Sequence, residues 1–274
     1  MDFDSFYDVC GRIGLQKEIH VAVARFVRNF DFCKIDGILQ DLLDGQTAPS
    51  AYMRLENYLG VDKDCMKMLA CQLVCASLAL EKYRAKKIPN KIFYDTMKCF
   101  SRFVEECHKK TGLFAFDRGW WTYRQLSMVL FRLGELEYEL LSVDGKKKVS
   151  LHIPSDANIT PDCIDGSLAC ARKFLADFYP DYMDSPFVCE SWLMSPRLKE
   201  LLEEDSNILA FQKRFDITSY DAQDIDFIEW IFKTNPNKDC DYSALPETTS
   251  LQKKTKKMLL EGSFLGCGVG LLRS

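Results

Sequence analysis

Two segments decide the fold of this chain: Lys148-Val-Ser-Leu-His-Ile-Pro-Ser-Asp-Ala157 and Phe187-Val-Cys-Glu-Ser-Trp-Leu-Met-Ser-Pro196. Each reads as a short apolar strand that ends in polar residues and is followed by a helix-forming segment. In open mixed sheets, ligands bind beyond the ends of such strands. The sequence therefore predicts a site at these two strand ends, and its candidate polar residues are His152, Ser155, Asp156, Glu190 and Ser191.

A hairpin is predicted just before the first of these strands. Asp144-Gly145 is a strong signal for a two-residue turn, and residues 149–153 alternate as the returning strand. Thr160-Pro161 then begins a helix, because threonine favours the cap position and proline fits the first turn. The remaining pattern predicts strands over residues 133–141, 227–232 and 264–272, and helices over residues 207–215 and 247–262.

The first 110 residues read as helices throughout. Residues 17–30 show the three-and-four spacing of one buried face, and residues 62–83 are apolar on most sides, which is typical of a central helix. The predicted fold class is α+β. A helical bundle over residues 1–112 is followed by a mixed-sheet α/β domain over residues 113–274.

The composition is that of a soluble globular protein, with 47% hydrophobic residues, 28% charged residues and a formal net charge of -4. An acidic balance argues against a nucleic-acid partner, and no apolar run is long enough for a membrane span. The first residues lack a basic start followed by an apolar run, so we expect a cytoplasmic protein. The twelve cysteines form no Cys-x-x-Cys pair, so no metal site is predicted.

Five ordered motifs carry a family resemblance. The motifs are Trp120-Trp121-x-x-Arg124-Gln125, His152-Ile153-Pro154-Ser155-Asp156-Ala157, Ser191-Trp192-Leu193-x-Ser195-Pro196, Asp205-Ser206-Asn207-Ile208-x-x-Phe211 and Leu245-Pro246-x-Thr248-Thr249-Ser250-Leu251-Gln252. With them the chain resembles a bacterial family of predicted acyltransferases, which pair a helical N-terminal region with a C-terminal domain like that of the GNAT N-acyltransferases. The resemblance covers nearly the whole chain.

The resemblance implies that acyl-CoA or acetyl-CoA is a co-substrate. In such folds two strands splay apart and pantetheine lies between them, with the pyrophosphate at the start of the following helix. Mapped here, the splay lies between residues 149–153 and 187–193, and the cofactor-binding residues are Ile153, Ser155, Asp156 and Thr160. The chain lacks the usual glycine-rich phosphate loop, and Asp156 and Asp162 place negative charge there.

N-acyl transfer needs a base for the amine and donors for the oxyanion. Glu190 is the first candidate base, because partial burial in an apolar strand would raise its pKa, and His152 is the second. The alternatives are a solvent-facing Glu190, a structural His152 and a capping Ser206. The candidate substrate-binding residues are Ser191, Trp192, Ser206 and Asn207.

Two functions stay open at this point. The first is an acyl-CoA-dependent N-acyltransferase acting on a small-molecule or peptide amine. The second is a non-catalytic ligand-binding or protein-interaction module on a degenerate GNAT-like scaffold, because fold alone does not establish function.

Overall fold

The computed structural model of the chain describes residues 3–235 and 241–273. Two compact units divide between Arg132 and Leu133. The predicted boundary at Gly112 stays a prediction. The helices of the first unit are α1 Phe3–Arg12, α2 Lys17–Asn29, α3 Asp36–Leu42, α4 Ala48–Leu59, α5 Met66–Ala85, α6 Asn90–Met97, α7 Cys99–Thr111 and α8 Gly119–Leu126.

The predicted central helix of the first unit is α5. Leu69, Leu73, Leu80 and Tyr83 are all almost completely buried, and α5 packs against α1, α2, α3, α4, α6 and α8. A helix that is apolar on all sides needs neighbours all round it, which explains its place at the centre of this bundle.

After the short strand β1 Leu130–Leu133, the second unit combines five further strands with helices. Within the described residues 133–235 and 241–273, these five strands run in the order β2-β3-β4-β6-β5, with β3 and β4 parallel and the other pairs antiparallel. The elements are β2 Leu136–Val143, β3 Lys146–His152, α9 Pro161–Phe178, β4 Phe187–Ser191, α10 Leu198–Leu201, α11 Asn207–Gln212, β5 Phe215–Asp221, α12 Phe227–Phe232, α13 Ser250–Leu260 and β6 Cys267–Leu272.

The predicted hairpin is confirmed by the turn that joins β2 to β3. Asp144 and Gly145 both have positive φ, at 50° and 74°, as the favoured two-residue hairpin turn requires. The strands pair antiparallel, with Val143 opposite Lys146 and Glu137 opposite His152. This turn therefore fixes which side chains of β2 lie beside the end of β3.

Helix α9 packs on β2 through a buried hydroxyl group. Ser167 Oγ donates to the carbonyl oxygen of Leu133 at 2.5 Å and accepts from the backbone nitrogen of Leu136 at 3.1 Å. The hydroxyl oxygen of Tyr138 lies 3.0 Å from Ser167 Oγ. These bonds satisfy polar groups that would otherwise be buried without partners, and they hold α9 to one face of the sheet.

One prediction about an element is wrong in type, and two others differ in their bounds. Residues 227–232 form the helix α12, whose buried residues Phe227, Ile228, Ile231 and Phe232 recur at helical spacing, because a short apolar run does not distinguish helix from strand. The helix predicted over 207–215 ends at Gln212, and β5 begins at Phe215. The strand predicted over 133–141 is divided by Gly134, whose φ is 70°.

Candidate functional site

Strands β3 and β4 part near their C-terminal ends. Val149 pairs with Phe187, Ser150 with Val188 and Leu151 with Cys189. One residue further on, His152 pairs with Glu137 of β2 and Glu190 pairs with Val269 of β6. The described strands show no β3–β4 pair beyond Leu151. The splay predicted between residues 149–153 and 187–193 is therefore confined to the residues after Leu151 and Cys189, because residues 149–151 pair with residues 187–189.

The side chains of His152 and Glu190 lie on one face of the sheet at this opening. Paired residues of neighbouring strands share a face, and side chains alternate along each strand. Ser150 pairs with Val188, so these two side chains share a face. His152 lies two residues after Ser150, and Glu190 lies two residues after Val188, so both lie on that same face. Glu139 shares the same face, because it pairs with Ser150.

His152 is bonded to a carboxylate that was not among the predicted site residues. Its Nε2 lies 2.9 Å from Oε2 of Glu139. The side chains are 25% and 11% exposed respectively. Glu139 looked like an outward residue of an alternating strand, yet residues 136–140 of β2 are buried on both faces. The alternating pattern of β2 therefore does not predict that Glu139 is buried.

Glu190 differs from the prediction in its environment. Its side chain is exposed, so the expected partial burial is wrong. Position 190 lies where β4 has left β3, and its one remaining neighbour in the register is Val269 of β6. The burial on which the choice of Glu190 as the base depended is therefore absent.

Two thiols beside Glu190 are held protonated. Burial raises the pKa of Cys267 to about 12, and the nearby carboxylates of Asp224 and Glu190 add to the increase. Burial also raises the pKa of Cys189, with Cys267 and Glu190 adding to the effect. Since the thiolate is the nucleophilic form, neither residue is suited to carry an acyl group at neutral pH.

Ser191 is the last residue of β4, and Trp192 directly follows the strand. Ser191 Oγ accepts from the backbone nitrogen of Leu193 at 3.2 Å, which begins the 3-10 segment Trp192–Met194. Trp192 is half-buried against the apolar cluster of α10, α12 and α13. Ser206 Oγ caps α11 by accepting from the backbone nitrogen of Leu209 at 3.1 Å, which is the capping alternative given for this residue. Asn207 is exposed.

The segment between β3 and α9 contains the four predicted cofactor-binding residues. Ile153 and Thr160 are half-buried, whereas Ser155 and Asp156 are exposed. Thr160 is the N-cap residue of α9 with Pro161 in the first turn, as predicted, but its side chain makes no capping bond. Instead Asn158 Oδ1 accepts from the backbone nitrogen of Thr160 at 3.1 Å.

Arg214 places a positive charge at the first turn of α9. Its Nη2 donates to the carbonyl oxygen of Pro161 at 3.2 Å, and the guanidinium also pairs with Asp165. The guanidinium holds the pKa of Asp165 below its usual value. No local motif could reveal Arg214, because the start of β5 and the start of α9 are joined only by the fold.

Neither a metal site nor a membrane span appears in the part of the chain that the structure describes. Across residues 3–235 and 241–273, no group of three or more histidine, cysteine or acidic residues is arranged to hold a metal ion. None of the helices there combines the length and hydropathy needed to cross a membrane.

Comparisons with protein families match both parts of the chain. Residues 4–128 match the N-acyltransferase N-terminal domain, and residues 130–272 match the GNAT-like C-terminal domain. The second match alone spans more than half of the chain. No curated protein matches the sequence.

Solved acyltransferase structures share the fold over nearly the whole chain. A complex with decanoyl-CoA and teicoplanin is 20% identical, with a TM-score of 0.81, and the match covers 97% of this chain and 86% of that one. A mutant in complex with octanoyl-CoA is 20% identical, with a TM-score of 0.82 and coverage of 98% and 88%. At such identities the likeness establishes the fold.

Proposed function

The chain belongs to the family defined by the GNAT-like C-terminal domain, and on that premise we propose that it transfers an acyl group from acyl-CoA to an amine. The observation that carries the proposal is the parting of β3 and β4 after Leu151 and Cys189. The opening gives a thioester a place in the sheet, and His152 and Glu190 lie on one face beside it.

The acyltransferases of similar fold guide the choice of donor and acceptor. They form complexes with decanoyl-CoA and octanoyl-CoA, and one contains CoA together with 10C-teicoplanin. We therefore take a medium-chain acyl-CoA as the donor and an amine of a small molecule as the acceptor.

The proposed chemistry needs one proton acceptor at the opening. The amine nitrogen attacks the thioester carbonyl, the C–N bond forms, the C–S bond breaks and the CoA thiolate leaves. We assign the amine's proton to His152, because its ring is held by the Glu139 carboxylate at the opening, whereas Glu190 is exposed. Glu190 is assigned to the acceptor side, where its carboxylate attracts an ammonium group before deprotonation.

Binding of acyl-CoA should raise the stability of the protein. At 100 times the dissociation constant, a ligand that binds only the folded state stabilises it by about 2.7 kcal/mol. The measurement is a thermal-shift series with acetyl-, octanoyl- and decanoyl-CoA and with free CoA, followed by calorimetry. If none of these ligands shifts the thermal unfolding transition at millimolar concentration, the result favours the non-catalytic alternative. The exposed Asp156 and Asp162, which place negative charge where a pyrophosphate would bind, agree with that outcome.

Arg214 is proposed to supply the positive charge that the missing glycine loop does not. Arg214→Met should weaken acyl-CoA binding by about tenfold, the size of one charge-assisted hydrogen bond. Asp165→Asn should strengthen binding, because it removes the carboxylate that competes for the guanidinium. Calorimetric titration of both variants measures the effect.

The matched control is Arg273→Met. Arg273 also pairs with a surface aspartate, since its Nε lies 2.7 Å from Oδ1 of Asp216. Equal losses of affinity in the Arg214 and Arg273 variants would mean that only the overall charge matters.

A further inference from the structure

Glu139 is a buried carboxylate held against a ring nitrogen of His152. Glu139 is buried, and its Oε2 lies 2.9 Å from Nε2 of the ring. Burying a charged carboxylate is unfavourable unless a partner compensates for it. We propose that Glu139 is the positioning residue of the acyltransferase site, which fixes the orientation and tautomer of His152; this inference rests on the proposed function.

The hairpin register brings the two side chains together. Glu139 lies opposite Ser150, and His152 lies opposite Glu137, so Glu139 and His152 are diagonal neighbours on one face. Such neighbours are about 7–8 Å apart at their Cα atoms, within reach of long side chains. The contact is therefore set by two rigid strands, which suits a group that must orient another.

The tautomer determines which nitrogen can take a proton. A neutral imidazole has one N–H, and a carboxylate acceptor at Nε2 favours the form that carries the proton there. The lone pair then lies on Nδ1, which takes the proton of the attacking amine. The imidazolium formed is stabilised by the Glu139 carboxylate and returns a proton to the CoA thiolate as the C–S bond breaks. No other oxidant, reductant or co-reactant is needed.

Four other charged side chains share this face of β2, β3 and β4. Glu137 lies opposite His152, Lys146 and Lys148 lie earlier on β3, and Glu190 lies on β4. Glu137 is the natural comparison, because it is a carboxylate on the same strand and only 3% exposed. Glu137→Gln removes the same charge from the same face and leaves Glu139 in place.

Imidazole ¹⁵N NMR tests the proposal without turnover. The chain has 3 histidines, so the signals of His152 are assigned by comparison with His152→Asn. We expect the Nε2-protonated tautomer in the wild type and a mixture of tautomers in Glu139→Gln. Glu139→Asp keeps the charge one methylene further away and should give an intermediate spectrum, which also serves if the glutamine variant folds poorly.

Kinetics completes the test. In Glu139→Gln, kcat should fall by about tenfold or more while KM for acyl-CoA stays constant. An unchanged tautomer in Glu139→Gln, or the same spectral change in Glu137→Gln, would overturn the positioning role. A wild-type protein that shows the expected tautomer and its loss in Glu139→Gln but transfers no acyl group would instead overturn the proposed function.

Discussion

The variant His152→Gln is expected to lower kcat by about 10²- to 10⁴-fold, the usual contribution of a general base. A glutamine amide can still donate to Glu139, so the bond now seen at 2.9 Å keeps a counterpart and the sheet keeps its register. It cannot take the amine's proton. The dissociation constant of acyl-CoA should therefore stay the same, as measured by calorimetry beside steady-state kinetics.

The control for this variant is His20→Gln. His20 lies in α2, where its ring contacts that of Tyr7 with centroids 5.8 Å apart, and it takes no part in the proposed site. Its kcat should match that of the wild type. A His152 variant that retains full turnover would exclude this residue as the base and return Glu190 to that role.

The variant Gly268→Ala is expected to lower the free energy of unfolding of the second unit by about 1–3 kcal/mol, as for other overpacked positions. An added Cβ at position 268 would lie 2.5 Å from the carbonyl oxygen of Met194 and 2.9 Å from its carbonyl carbon. Backbone atoms cannot rotate away as a side-chain end can. Gly268 pairs with Ser191, so the strain also reaches the opened end of β4.

Gly166→Ala provides the opposite case within the same unit. Gly166 lies in α9, and nothing lies within 4 Å of a Cβ added there. Alanine should therefore stabilise the protein by about 0.4–1 kcal/mol, because it restricts the unfolded chain. Urea unfolding of both variants measures the difference. Equal changes in the free energy of unfolding of the two variants would show that the close approach of Gly268 to Met194 does not determine the stability of the Gly268→Ala variant.

The family and the fold class could be predicted from the sequence, and both are confirmed. The signals were local ones: Asp144-Gly145 for the hairpin and Thr160-Pro161 for the start of α9. A glycine within a strand often marks a close backbone approach, and Gly268 in β6 does so against Met194.

What could not be predicted depends on partners distant in sequence. Strand β5 is largely exposed, so it lacks the buried alternation that marks a strand. The exposure of Glu190 follows from the parting of β4 from β3, which no pattern within residues 187–194 encodes. Glu139 and Arg214 became candidates only because the register and the fold place them beside His152 and Pro161.

The two-residue turn at Asp144 and Gly145 limits how this hairpin can change during evolution. Side chains alternate with a period of two, so a slip of β2 against β3 by a single residue would carry Glu139 to the opposite side of the sheet. A slip by two would keep its side but leave it opposite a different neighbour. Homologues that retain the Glu139–His152 pair should therefore conserve the length of this turn even where its residues vary.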